Sequence, residues 1–271
     1  MISIITAIYN QLAVNRIYWN SLEKYTKNSF ELIIVDNGSD DGSREFFQSV
    51  GATVLQNEGN YAYPHCQNQG IAVARHEWLC FLNNDIVVAP SWDASMLSSM
   101  RHNGLEVATC CGIEQVENAQ ATRSNKRRWQ KIKNLLGLFG YNRRTLSWMH
   151  RWMYGDWDAF SAQRANHFRH QIKEGFVGNT VVMHRSALPK IGLWDERIQA
   201  ADFDLYLRAK NRALAVGDIK PVHICLDVFN HHYIRLTAKG SYPRFADFDQ
   251  LVALDAKWSP TELAWLDQLN S

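Results

Sequence analysis

Three acidic clusters stand where carboxylates could do chemistry. Asp36 closes the apolar run Glu31-Leu-Ile-Ile-Val and opens the turn Asn37-Gly-Ser. At the carboxyl end of a strand, where open α/β sheets bind ligands, it could accept hydrogen bonds from a base or ribose; the alternative is an aspartate bonding its own turn. Asn83-Asn84-Asp85 directly follows the strand pattern Trp78-Leu-Cys-Phe-Leu82. Short oxygen-bearing side chains suit a hard cation such as Mg²⁺, which takes one or two carboxylates plus substrate phosphates; a polar turn is the plain alternative. Asp202 and Asp204 open a helical pattern over residues 203–214. Asp204 and Arg208, four residues apart, form a structural pair. Asp202 projects elsewhere, and a helix N-terminus favours its anion, so it is either a proton acceptor or an N-cap. His231 and His232 follow the strand pattern Ile224 to Phe229. Either could complete a metal site, or both could simply pack.

The elements that position these groups alternate. Strand patterns at residues 2–8, 31–36, 52–55 and 78–82 are separated by helical patterns at 15–25, 43–50 and 68–75. The near-continuous apolar strands are those of a buried parallel sheet, and repeated β-α units predict helices on both faces. Strand signals return at 107–112 and 177–184, and Ser259-Pro-Thr-Glu262 reads as a capping box that starts a short C-terminal helix.

The 271 residues are 46% apolar and 21% charged, an ordinary globular composition. Five cysteines with no C-x-x-C pair suggest a reducing compartment and no cysteine metal site. No signal-peptide pattern and no apolar run of about 20 residues is present, so any membrane contact is expected to be peripheral. The net charge of +2 hides an asymmetry: residues 123–173 carry +10 and the remainder −8. Such a segment points to an anionic partner.

In order along the chain, these residues resemble the family-2 glycosyltransferases, which have the GT-A fold: an α/β nucleotide-binding sheet flanked by helices, here with a basic helical insertion. Ile2-Ser-Ile-Ile-Thr-Ala-Ile-Tyr-Asn10 is similar to the family's first strand and turn, and Leu32 to Gly42 to its second strand, whose aspartate (Asp36 here) contacts the nucleotide base. Asn57 to Tyr61 and Asn68 to Ile71 resemble the element flanking the nucleotide, and Phe81-Leu-Asn-Asn-Asp85 the metal motif in its rhamnosyltransferase-like form. Gly175 to Gly178, Ile191 to Glu196 and Asp202 to Arg208 resemble the acceptor half, although Ala201 stands where many members carry Glu.

The resemblance covers roughly residues 1–112 and 174–235. It divides the chain into a nucleotide-sugar half (1–112), a basic aromatic insertion (113–173) and an acceptor half with the C-terminal helix (174–271). It implies an inverting, metal-dependent sugar transfer to a glycan or lipid-linked acceptor in cell-surface polysaccharide synthesis. The donor would be UDP-, dTDP- or GDP-linked. Asp202 would be the catalytic base. Thr6, Ala7, Tyr9, Asn10, Asp36, Asn60, Asn68 and Asn84 would bind the nucleotide-sugar. Gly178 and Trp194 would lie on the acceptor side, and Asp85 with His231 or His232 would hold Mn²⁺ or Mg²⁺. The expected location is cytoplasmic, at the inner face of the membrane.

The insertion itself has two readings. Trp129, Trp148, Trp152 and Trp157 sit among arginines, as in helices that lie on an anionic membrane; alternatively the aromatics pack on the core and the arginines face water. Interleaved basic and aromatic residues also suit a nucleic-acid-binding protein, but that reading leaves the acids at successive strand ends unexplained, and no nucleic acid is expected as partner. A nucleotidyltransferase would carry a glycine- and lysine-rich phosphate loop, absent between Thr6 and Asn15. A catalytically dead relative that only binds is the remaining alternative.

Overall fold

The computed structural model describes residues 1–234 and 243–269. Eight strands form one mixed sheet: β1 (Ile2–Ile8), β2 (Phe30–Asp36), β3 (Thr53–Gln56), β4 (Trp78–Leu82), β6 (Val107–Cys111), β7 (Ile172–Glu174), β8 (Thr180–His184) and β9 (His223–Phe229), in the order β3-β2-β1-β4-β8-β6-β9-β7. The β3-β2-β1-β4 half is parallel, as the alternating patterns predict. The expectation of a parallel sheet fails beyond it, because β8 runs antiparallel to both β4 and β6. Apolar continuity signals burial on two faces but carries no information on strand direction.

Parity along β1 decides what each residue meets. Ile2, Ile4 and Ile8 join the core on one face with Tyr18 and Leu22 of α1 (Leu12–Tyr25), while Ile5 joins the opposite core with Ile71 of α3 (Tyr63–Val73). Helix α3 can lie this close to β1 because Gly70 has no side chain: a Cβ there would stand 2.2 Å from Ile5 Cγ2. Gly70→Ala should therefore destabilise the protein by about 1–3 kcal/mol through overpacking, read as a lowered midpoint in urea denaturation.

Helices α2 (Ser43–Ser49), α4 (Trp92–Asn103), α8 (Leu188–Ile191) and α9 (Ala201–Ala215) complete the layers, and α10 (Pro260–Gln268) starts at the expected Ser259 capping box. A two-stranded ribbon pairs β5 (Ile86–Val87) with β10 (His231–His232). The insertion forms three helices: α5 (Ala119–Leu136), α6 (Arg143–Tyr154) and α7 (Trp157–His167). The side chains of Asn118, Asn142 and Asp156 cap their N-termini. Gly155, at φ 69°, ends α6 and separates it from α7. Trp129, Ile132, Leu136, Leu146, Met149, Met153 and Trp157 are buried in the same core cluster as the strands. All five cysteines are buried and unbonded, and burial pushes the Cys66 thiol up to about 12. Among the described residues no helix is long and apolar enough to cross a membrane.

Candidate active site

Because β1, β2 and β4 are parallel and in register, Ile8, Asp36 and Leu82 finish at one edge of the sheet. A cavity of about 550 Å³ opens there, lined by Ala7, Ile8, Tyr9 and Gln11 at and after the end of β1, Asn37 after β2, Asn60, Tyr61 and Tyr63 before and within α3, and Asn83 to Asp85 after β4. Gln199 and the C-terminal segment Pro243, Arg244, Phe245 and Phe248 close the other side.

The loops of this edge are held by amides. Asn10 and Gln11 both adopt positive φ, 56° and 72°. The Asn10 N–H donates to Ser39 Oγ at 2.8 Å, and Asn10 Oδ1 accepts from the Asp40 N–H at 2.8 Å. Buried Asn15 joins three loops: its Nδ2 donates to Asn10 O at 2.9 Å and Ser43 Oγ at 2.8 Å, and its Oδ1 accepts from Asn84 Nδ2 at 2.7 Å. Sequence reading missed Asn15 because an asparagine inside a helical pattern gives no signal of long-range partners.

The anticipated nucleotide contacts divide by geometry. Ala7, Tyr9, Asn60 and Asn84 line the cavity. Thr6 does not, because parity turns it toward α1, where its hydroxyl meets the Tyr18 hydroxyl at 2.6 Å. The Asp36 carboxylate is fully buried and committed, accepting from Arg44 Nε at 2.6 Å and the Ser39 N–H at 3.0 Å; its neighbour Asn37 reaches the cavity instead. Asn68 clamps the loop before α9, donating to Trp194 O at 2.9 Å and Glu196 Oε1 at 2.8 Å and accepting from the Trp194 N–H at 3.1 Å. Trp194 is buried edge-on against Tyr63 and Phe81, with ring centroids 5.5 and 5.2 Å away.

Asp85 and the two histidines meet at the β5–β10 ribbon. His232 Nε2 lies 3.1 Å from Asp85 Oδ1, while its Nδ1 contacts Glu114 Oε1. Burial alone would favour neutral His232, but with no cation between them the two carboxylates hold its pKa well above the ordinary value; a bound cation would have to displace the Nε2 proton. His231, one residue earlier, faces the opposite way. Its Nδ1 meets the Tyr154 hydroxyl at 2.9 Å and its ring packs on Trp129, His150 and Tyr233. Strand parity therefore brings His232, and not His231, beside Asp85. Among the described residues no group of three or more His, Cys, Asp or Glu is arranged around one ion. Yet one lining carboxylate and one imidazole, whose far nitrogen is anchored by Glu114, fit a cation that takes its remaining ligands from a substrate diphosphate.

Asp202 opens α9. Its Oδ1 accepts from the Phe203 N–H at 2.9 Å, and its Oδ2 occupies the space a side chain at residue 178 would fill, 2.6 Å from where a Cβ on Gly178 would stand. Gly178 adjoins Asn179, whose carbonyl accepts from the Asn83 N–H at 3.1 Å, which links the segment beside Asp202 to the loop that carries Asp85, although Asp202 itself does not line the cavity. The Asp202 charge also reaches Tyr63 in the cavity wall, adding to the burial that raises the Tyr63 pKa. Desolvation raises the Asp202 pKa against the backbone hydrogen bonds that lower it, so burial outweighs the helix terminus that by itself favours the anion. Asp204 has the expected structural role: it pairs with Arg208 Nε at 2.8 Å and accepts from Trp258 Nε1 at 2.9 Å.

Gly178→Ala would displace the Asp202 carboxylate while leaving the core intact. The expected result is a turnover lower by roughly 10- to 100-fold, with an unchanged melting temperature. Steady-state kinetics beside a thermal melt checks both parts.

Residues 3–192 match the family model described as Glycosyl transferase family 2. An uncharacterized glycosyltransferase of Haemophilus influenzae is 33% identical over 104 residues, 38% of this chain and 35% of its own. Mannosyltransferase PcManGT from Pyrobaculum calidifontis, solved in complex with GDP-mannose and Mn²⁺, superposes with a TM-score of 0.51 at 14% identity, covering 82% of this chain and 56% of that one. S. aureus TarS superposes with a TM-score of 0.50 at 15% identity, over 85% of this chain and 60% of that one. This chain thus spans about a third of the curated relative and somewhat over half of each solved neighbour. At such identities the structural likeness concerns the fold, which is the GT-A architecture expected from the sequence.

Proposed function

The chain belongs to glycosyl transferase family 2, and from that premise we propose that it transfers a sugar, with inversion, from a nucleoside-diphosphate donor to a hydroxyl of a glycan or lipid-linked acceptor. The setting of this reaction is cell-surface polysaccharide synthesis at the cytoplasmic face of the membrane. The observation that supports the reading is proximity: Asp85 lines the cavity at the strand ends, and Asp202 packs beside Gly178, whose neighbour Asn179 is hydrogen-bonded to the Asn83 backbone.

In this reading the acceptor oxygen attacks the anomeric carbon from the face opposite the diphosphate. Its proton passes to an Asp202 carboxylate oxygen as the carbon–oxygen bond to the diphosphate breaks. The base of the donor rests against the Ala7–Tyr9 backbone, Asn37 and Asn60. Asp36 acts indirectly, by fixing the turn that presents Asn37. Arg244, which sequence reading missed, is the one cation among the described lining residues and would meet the diphosphate. Asp85 and His232 would hold a divalent cation, Mn²⁺ or Mg²⁺, which supplies positive charge to the departing diphosphate. The GDP-mannose and Mn²⁺ in the PcManGT complex support this class of donor and metal.

The test is a screen of UDP-, GDP- and dTDP-sugars with Mn²⁺, read by thermal shift and by release of nucleoside diphosphate. One donor should raise the melting temperature, as any ligand specific to the native state does, and turn over slowly to water. If no donor shifts the melt and none is cleaved, the reading is wrong.

A further inference from the structure

The insertion carries more apolar surface than its packing uses. Trp129 and Trp157 are buried in the core, so one expectation for the tryptophans holds for these two. Trp148 and Trp152, one turn apart on α6, remain 47% and 52% exposed. At the α5–α6 connection Leu138 is 80% and Phe139 66% exposed, and Leu135 at the end of α5 is 53% exposed. These residues belong to α5, α6 and the turn that joins them, the seam of the two helices. Arg128 Nη2 donates to Trp152 O at 2.8 Å, tying the two helices together there. Leu135 follows Arg128 by seven residues and so occupies the same side of α5.

The charge around this seam has one sign. Residues 119–155 contain nine arginines and lysines and no acidic residue. Arg127, Lys131, Arg143, Arg144 and Arg151 are exposed, and none of them forms an ion pair among the described residues. Aliphatic and aromatic side chains at a turn, ringed by unneutralised cations, are the composition of an interfacial surface: the apolar groups enter the acyl boundary and the cations meet anionic headgroups. A nucleic acid would use the cations and the tryptophan faces but has no place for Leu135, Leu138 and Phe139.

We infer that the α5–α6 face of the insertion docks the protein on an anionic lipid bilayer, with the Leu138–Phe139 turn inserted and the arginines of α6 at the headgroups. The docked face is mechanically joined to the cleft. Tyr154, at the end of α6, holds His231 of the ribbon whose next residue meets Asp85. A membrane at this face therefore lies against a helix that contacts the ribbon carrying His232.

The experiment uses the full chain and sucrose-loaded vesicles of phosphatidylcholine, with and without 30% phosphatidylglycerol, so it needs no donor or turnover. Sedimentation with the anionic vesicles should exceed that with neutral ones by at least about tenfold and fall with salt. The pair L138E/F139E should reduce it about tenfold or more, and Arg143, Arg144 and Arg151 changed together to Gln should reduce it by about 100-fold. All five side chains are exposed, and circular dichroism confirms that the variants fold. Equal sedimentation with both vesicle types, or binding that both variants retain, overturns the inference. Tight salt-dependent binding to single-stranded RNA without vesicle binding overturns it in favour of a nucleic-acid surface.

Discussion

Asp202→Asn is expected to lower the turnover number by roughly 10³-fold, within the range general-base catalysis contributes, while the affinity for the donor stays within about twofold. The asparagine keeps the shape of the side chain and can still accept the Phe203 N–H through its oxygen, so helix α9 should start as before. What it cannot do is take a proton. The pH profile supplies an independent readout. Burial raises the Asp202 pKa above its ordinary 3.8. A base works only when ionised, so activity is present above the folded-state pKa and lost as pH falls through it. The acid limb of the wild-type profile should thus stand higher than an exposed aspartate would give, and in Asp202→Asn the residual activity should lack that limb. Wild-type turnover in the variant, measured with saturating donor and acceptor, would exclude Asp202 as the base.

The same three acids show what a sequence discloses and what it withholds. Asp36, Asp85 and Asp202 are conspicuous because each ends or begins a periodic apolar element, and strand periodicity correctly puts the first two at one edge of the sheet. Periodicity says nothing about what a side chain finds there. Asp36 meets Arg44, only eight residues away, and is used up by it. Asp85 meets His232, 147 positions later, because β10 happens to pair with β5. The parity that turns His231 away from Asp85 and the parity that turns Thr6 to Tyr18 could have been applied in advance had the strand faces been known. Helix α4 was legible and overlooked: Trp92, Met96 and Met100 recur every fourth residue, Leu97 beside them, before Gly104 at φ 60°. The antiparallel β8 was not legible, since Thr180–His184 looks the same in either direction. The segment from Pro243 to Phe248 lacks any periodic signal, and it reaches the cavity through long-range bonds such as Asn60 Nδ2 to Pro243 O at 2.9 Å.

Asp85→Asn should behave in the opposite manner to Asp202→Asn in one respect and alike in another. Asp85 would hold the cation that supplies positive charge to the donor diphosphate, so removing one negative charge is expected to weaken metal and donor binding together. Turnover is expected to fall by roughly 10²–10³-fold, the scale of losing an electrostatic contact to developing charge, and the donor KM should rise as well. The fold should persist: the backbone carbonyl of residue 85 still accepts from the Tyr233 N–H, and His232 retains Glu114. Chelation provides the control, because EDTA should bring the wild type down to the level of the variant and added Mn²⁺ should restore only the wild type. A wild type indifferent to EDTA would remove the metal from the mechanism while leaving the Asp202 result untouched. Measured together, the two variants separate the roles by their kinetics: a base that changes kcat alone, and a metal ligand that changes kcat and donor affinity at once.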